Sequence, residues 1–132
     1  MTGERNLEKL LKSMSPELMD GEYVFCTFQD ARFGDYSELE PIAAICESEG
    51  LTLVIPKPRA DEKNLAYESV FKGITLKVHS SLDAVGLTAA FSNKLAEHGI
   101  SANVMAGYYH DHIFIQSKSA QKAMDALDEF AR

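Results

Sequence analysis

The chain has 132 residues, 45% of them hydrophobic, with 20 acidic against 13 basic side chains and a net charge of −7. That is apolar material for one ordinary domain or two very small ones sharing a core, and it excludes a disordered chain. The acidic surplus, with no Lys/Arg cluster anywhere, speaks against nucleic acid and against an anionic membrane surface as partners.

The opening MTGERNLEKLLKSM has neither the apolar core nor the cleavage site of a signal peptide. Apolar runs stay below the ~18 residues of a membrane-spanning helix. Cys26 and Cys46 form no CxxC pair and read as reduced core thiols, which places the protein in the cytoplasm.

Along the chain, Leu7, Leu10, Leu11 and Met14 follow a helical spacing that Pro16 stops. EYVFCTF alternates two mainly apolar sets and predicts a strand buried on both faces, followed by the loop QDARFGDYS. Leu39, Ile42, Ala43 and Cys46 fit a helical face closed by Gly50, and LTLVIP predicts a short strand. PKPRADEKN reads as a charged connection near a module boundary, and AYESVF and GITLKVHS as extended segments with a kink or bulge at Gly73.

SSLDAVG leads into a helix with Leu87, Ala90, Phe91 and Leu95 on one face, closed by Gly99. ISANVMAGYY and HIFIQ predict strands joined near His110 and Asp111. Ala120, Ala123, Met124, Leu127 and Phe130 mark a last helix.

The middle of the chain repeats a strand, loop, helix, glycine, strand order, so that Gly50 and LTLVIP correspond to Gly99 and ISANVM. A strand–helix–strand unit crosses over right-handed with its two strands parallel. The second half gives βαββα, one strand short of a βαββαβ sandwich, and AYESVF or a partner chain is the expected donor of the missing strand.

SSLDAVG carries the most chemistry. Ser80 and Asp83 have capping-box spacing, and Ser81 or Asp83 suits the N-cap. A loop entering a helix N-terminus offers free amides and a dipole to an anion such as a ligand carboxylate, and Gly86 leaves the backbone open to it. An ordinary capped turn is the alternative.

His110 and His112 would share a strand face and suit a metal only with a third ligand, which the sequence does not display; a polar hairpin turn is the simpler reading. GxSxG, phosphate-loop and HExxH motifs are lacking, and Cys46 on an apolar face makes a poor nucleophile. At most one of Tyr108 and Tyr109 would flank a ligand, because adjacent strand residues face opposite ways.

The stretches SSLDAVGLTAAFSNKLAEHGIS and NVMAGYYHDHIF resemble an ACT domain, the regulatory module of aspartate kinase and other enzymes of amino-acid metabolism. The likeness extends to small free-standing ACT-like proteins and, more distantly, to eukaryotic cytosolic arginine sensors. EYVFCTF and EGLTLVIP resemble the companion module more weakly.

The resemblance implies an α+β chain of tandem ferredoxin-like modules with antiparallel sheets and strand sharing between halves, over residues 1–66 and 67–132. It implies an effector loop of Ser80, Ser81, Leu82, Asp83, Ala84, Val85, Gly86 and Leu87, supported by Asn103, and a second loop from Asp30 to Asp35, at module interfaces. The expected function is non-enzymatic: a cytoplasmic homodimer or higher oligomer that senses an amino acid or similar metabolite, without cofactor or metal. A ligand-free assembly module and a small metal-assisted enzyme are the rival readings.

Overall fold

The structure, a computed structural model, describes residues 6–77 and 86–131. In chain order its helices are α1 (Leu7–Ser13), α2 (Lys57–Glu62), α3 (Leu87–Glu97) and α4 (Ala120–Asp128). Its strands are β1 (Pro16–Leu18), β2 (Tyr23–Phe28), β3 (Ala43–Glu47), β4 (Gly50–Pro56), β5 (Phe71–Leu76), β6 (Asn103–Ala106) and β7 (Asp111–Gln116). The chain divides into two compact units, one of Gly21–Phe71 and one of Met1–Asp20 with Lys72–Arg132.

In the unit that holds both ends of the chain, β5 lies between β1 and β7, and β7 pairs with β6. The elements β5–α3–β6–β7–α4 supply five parts of a ferredoxin-like sandwich. The sixth is β1, which runs antiparallel to β5 with Pro16 opposite Leu76 and Leu18 opposite Ile74. The strand missing from the second half therefore comes from residues 16–18. AYESVF, the expected donor, is no strand before Phe71.

α1 begins at Asn6, whose Oδ1 accepts a hydrogen bond from Lys9 N at 3.0 Å, and it ends before Pro16 as its spacing predicts. Leu10 of α1 and Met14 just after it join Ile74, Leu76, Phe91, Leu95, Ile113 and Leu127 in one buried cluster. Each such fully buried side chain contributes about 1.5–3 kcal/mol of transfer free energy.

Gly73 lies inside β5 rather than at a kink between two extended segments. A Cβ there would meet Met19 Sδ at 2.4 Å and Phe114 Cε1 at 3.0 Å, and Met19 N donates to Gly73 O at 2.8 Å. The glycine admits the close approach of Met19.

In the Gly21–Phe71 unit, β4 lies between β3 and β2, and Tyr23 of β2 is paired with Phe71. The helix expected over Leu39–Cys46 is absent, and β3 takes its place after a single 3-10 turn at Ser37–Leu39. Tyr36 (φ 65°) and Glu40 (φ 56°) both have left-handed backbone, and Pro41 disfavours a helical residue before it. Because residues 42–46 are all apolar, they fit a period of 3.6 and a period of 2 alike.

Gly50 consequently closes a two-residue β3–β4 hairpin, opposite Glu47, instead of capping a helix. LTLVIP becomes a direct antiparallel neighbour of β2, with Val24 opposite Ile55 and Phe28 opposite Leu51, so the expected parallel crossover does not occur. PKPRADEKN is likewise no plain connection. It starts α2, with Pro58 in the first turn, where a missing amide proton costs nothing, and Lys57 paired with Asp61 one turn on.

Val24, Cys26, Leu39, Leu51, Leu53, Ile55 and Ala60 form the core of this unit. Cys26 is buried, and burial pushes its thiol up from the ordinary value. Cys46, expected in the core, is exposed on β3, because the strand turns it outward at the sheet edge.

Candidate functional site

The expected second ligand loop lies between β2 and the 3-10 turn. There Phe28, Gln29, Asp30, Ala31, Asp35 and Tyr36 line a cleft of ≈ 340 Å³. Arg32 N donates to Asp35 Oδ2 at 2.9 Å, and Asp35 N donates back to Arg32 O at 2.9 Å, closing the loop on itself. The rings of Phe28 and Tyr36 stack with centroids 4.1 Å apart and planes 22° apart. Tyr36 takes this position from a left-handed backbone.

Gly50 supports the same loop from beneath. A Cβ at Gly50 would fall 2.6 Å from Phe28 O and 2.9 Å from Gln29 Cα, so no other residue lets the hairpin approach the end of β2 so closely. Asp30 and Asp35 were legible in the sequence as loop carboxylates. Phe28, Gln29, Ala31 and Tyr36 were not singled out, although an aromatic at each end of an Asp-rich loop was the available signal.

Ser80, Ser81, Leu82, Asp83, Ala84 and Val85 lie outside the described residues. Gly86 stands at the start of α3 with φ 95°, and the space beside it is filled by α1, since a Cβ there would meet Leu7 Cδ2 at 3.1 Å. Leu87 is buried in the core. Asn103 Nδ2 donates to Phe114 O at 3.1 Å across the β6–β7 hairpin.

A larger hollow of ≈ 670 Å³ is lined by Gly21, Glu22, Lys57, Pro58, Asp61 and Glu62. Two of its charged groups, Lys57 and Asp61, already serve each other. Lys57 Nζ donates to Asp61 Oδ2 at 2.9 Å and Tyr67 Oη donates to Asp61 Oδ1 at 2.7 Å. The hydrogen bond from Lys57, then that from Tyr67, holds the Asp61 carboxyl below its ordinary value. Such a closed triad has little left for a ligand.

The β6–β7 turn lies at residues 107–110, beside His110 and Asp111 as expected, with Gly107 N donating to His110 O at 2.9 Å, and Asp111 and His112 begin β7. His112 Nδ1 lies 3.0 Å from Thr75 Oγ1, and burial, then the charge of His110, pushes its pKa down. Burial raises the Asp111 carboxyl. Among the described residues no three His, Cys, Asp or Glu side chains are grouped to hold a metal ion. None of the described helices is long and apolar enough to cross a membrane.

Residues 2–72 match one ACT-domain family model and residues 68–129 match another. A Vibrio cholerae protein of unknown function, described as a possible transport protein, is 61% identical, with a TM-score of 0.88 and 96% of each chain covered. A protein from Agrobacterium tumefaciens shares 14% identity at a TM-score of 0.74, with 89% of each chain covered.

The ligand-free regulatory subunit of Thermus thermophilus aspartate kinase shares 11% identity at a TM-score of 0.62, covering 92% of this chain and all of that one (100%). These two share the fold. No curated protein matches the sequence. With both halves of the chain matched, the chain belongs to the ACT-domain family.

Proposed function

We propose that this protein is a non-enzymatic, cytoplasmic binder of an amino acid or similar small metabolite that regulates a partner through its assembly. The observation that carries the reading is the cleft between Asp30 and Asp35, which lies where the ACT resemblance puts a ligand loop and combines aromatic and carboxyl-bearing side chains in one unit. The loop Ser80–Leu87 remains the proposed second site, its backbone amides taking a ligand carboxylate at the start of α3.

A homo-oligomer is supported by β3. It is an edge strand among the described residues, apolar from Ala43 to Cys46, and Ile42 just before it and Ile45 within it are 43% and 45% exposed. A ligand that favours one arrangement of such an assembly shifts its population, which is what a sensor requires.

A thermal-shift screen of amino acids, nucleotides and common metabolites tests the reading. Stabilisation by at least one amino-acid-like compound at millimolar concentration is expected. No stabilisation by any of them, together with a monomeric mass by light scattering, contradicts it.

A further inference from the structure

The backbone phase of β3 fixes what its outer edge offers. Glu47 stands opposite Gly50 across a two-residue loop, so these two exchange both backbone hydrogen bonds. Bonded and non-bonded pairs alternate along an antiparallel ladder. Ala43, Ile45 and Glu47 therefore turn their amides and carbonyls toward β4, while Ala44 and Cys46 turn theirs outward. Among the described residues no strand takes up these outward groups.

The side chains leave the same edge bare. Ala44 and Cys46 stand opposite Leu53 and Leu51 on the core face, yet both are exposed, since a single 3-10 turn stands where a helix was expected. Phe33, Tyr36, Ile42 and Ile45 of the same unit are exposed as well. β3 carries no lysine or proline to guard its edge, and the carboxylate of Glu47 is held by Thr52 Oγ1 within the chain.

A second copy of the strand fits this edge in one register. Pairing about a two-fold axis must join residues whose backbone groups point outward. An axis at Ala44 would pair Ile42 with Cys46 of the other copy, but Ile42 N already donates to Val54 O at 2.8 Å. An axis at Cys46 would recruit Ser48, which lies in the hairpin loop. An axis at Ile45 joins Ala44 of each copy to Cys46 of the other and sets Glu47 opposite Ala43, so that no like charges face each other.

We propose that β3 pairs antiparallel with β3 of a second copy about a two-fold axis at Ile45. This rests on the proposed reading of β3 as an assembly edge.

Light scattering and cross-linking of the whole protein test it. Wild type is expected to be a dimer at micromolar concentration. Ile45→Lys, which sets like charges directly opposite at the axis, should raise the dissociation constant by roughly tenfold or more. The two Ile45 positions form a non-hydrogen-bonded pair with Cα atoms about 4.5 Å apart, so Ile45→Cys in a Cys46→Ser background should cross-link on mild oxidation. Cys46 of wild type should not, because its counterpart lies diagonally across the ladder, about 7–8 Å away.

A dimer that Ile45→Lys leaves intact overturns this pairing and leaves assembly through another surface standing. A monomeric wild type overturns both, and leaves the edge to a strand of a different protein. Cross-linking through Cys46 as fast as through Ile45→Cys overturns the axis at Ile45. None of these outcomes touches ligand binding, which the thermal-shift screen reads separately.

Discussion

Gly50 shows how much one residue decides in this protein. Its φ of 148° and the 2.6 Å that would separate an added Cβ from Phe28 O make it the fixed point on which the end of β2 and the loop after it rest. Gly50→Ala should cost about 1–3 kcal/mol by backbone strain and displacement of Phe28, read as a lowered urea midpoint. An unchanged midpoint would show that the loop does not depend on this contact.

Glu129 makes a second test at the same scale, because it ties α3 to the residues after α4. Lys94 Nζ donates to its Oε1 at 3.3 Å and His98 Nε2 lies 3.1 Å from its Oε2. The hydrogen bond and charge of Lys94, and then His98, hold the carboxyl below its ordinary value of 4.5. The unfolded chain therefore takes up this proton first as pH falls. The stabilisation is fully present above the ordinary carboxylate range and is lost as pH drops through the lowered folded value. The stability gap between wild type and Glu129→Gln should accordingly be widest near neutral pH and should close below about pH 4. A gap that is flat in denaturation midpoints measured from pH 7 to pH 3 speaks against the ion pair.

At the scale of elements, long amphipathic segments were legible and short ambiguous ones were not. The face Leu87, Phe91, Leu95 and the face Ala120, Ala123, Leu127 read as helices because only one period fits them, and α3 and α4 bury those residues. Residues 42–46 offer no polar residue to fix a period, and only the left-handed Tyr36 and Glu40 exclude the helix. The candidate site fared similarly. Its carboxylates were visible as loop residues, but the stacking of Phe28 on Tyr36 depends on a backbone conformation that no spacing encodes.

The donor strand was missed because pairing between residues 16–18 and 74–76 is non-local, and a three-residue strand carries almost no pattern of its own. α1 and β1 fall within the first module in sequence, inside residues 2–72, yet pack in the unit formed with residues 72–132. Leu10→Ala should cost about 2–5 kcal/mol as a core cavity. Its loss of amide protection in hydrogen exchange should fall on α3, α4 and β7 and spare β2 and β4. Loss confined to residues 21–71 would contradict this packing.

At the scale of the whole molecule, the two ACT-domain matches follow chain order while the compact units do not, since the opening segment completes the later sandwich. Sharing a strand in this way makes both ends of the chain necessary to one module. The other module has lost the first helix of the ferredoxin plan, and the loop that replaces it forms the Asp30–Asp35 cleft beside the apolar edge strand β3. Under the proposed function, this loop would bind the ligand and β3 would be the edge through which assembly changes. Chemical-shift mapping by NMR of the isotope-labelled protein, titrated with a pool of amino acids, tests this account most directly. It predicts saturable shifts concentrated on the amides of residues 28–36 and 50, and an absence of shifts there at saturating ligand would contradict it.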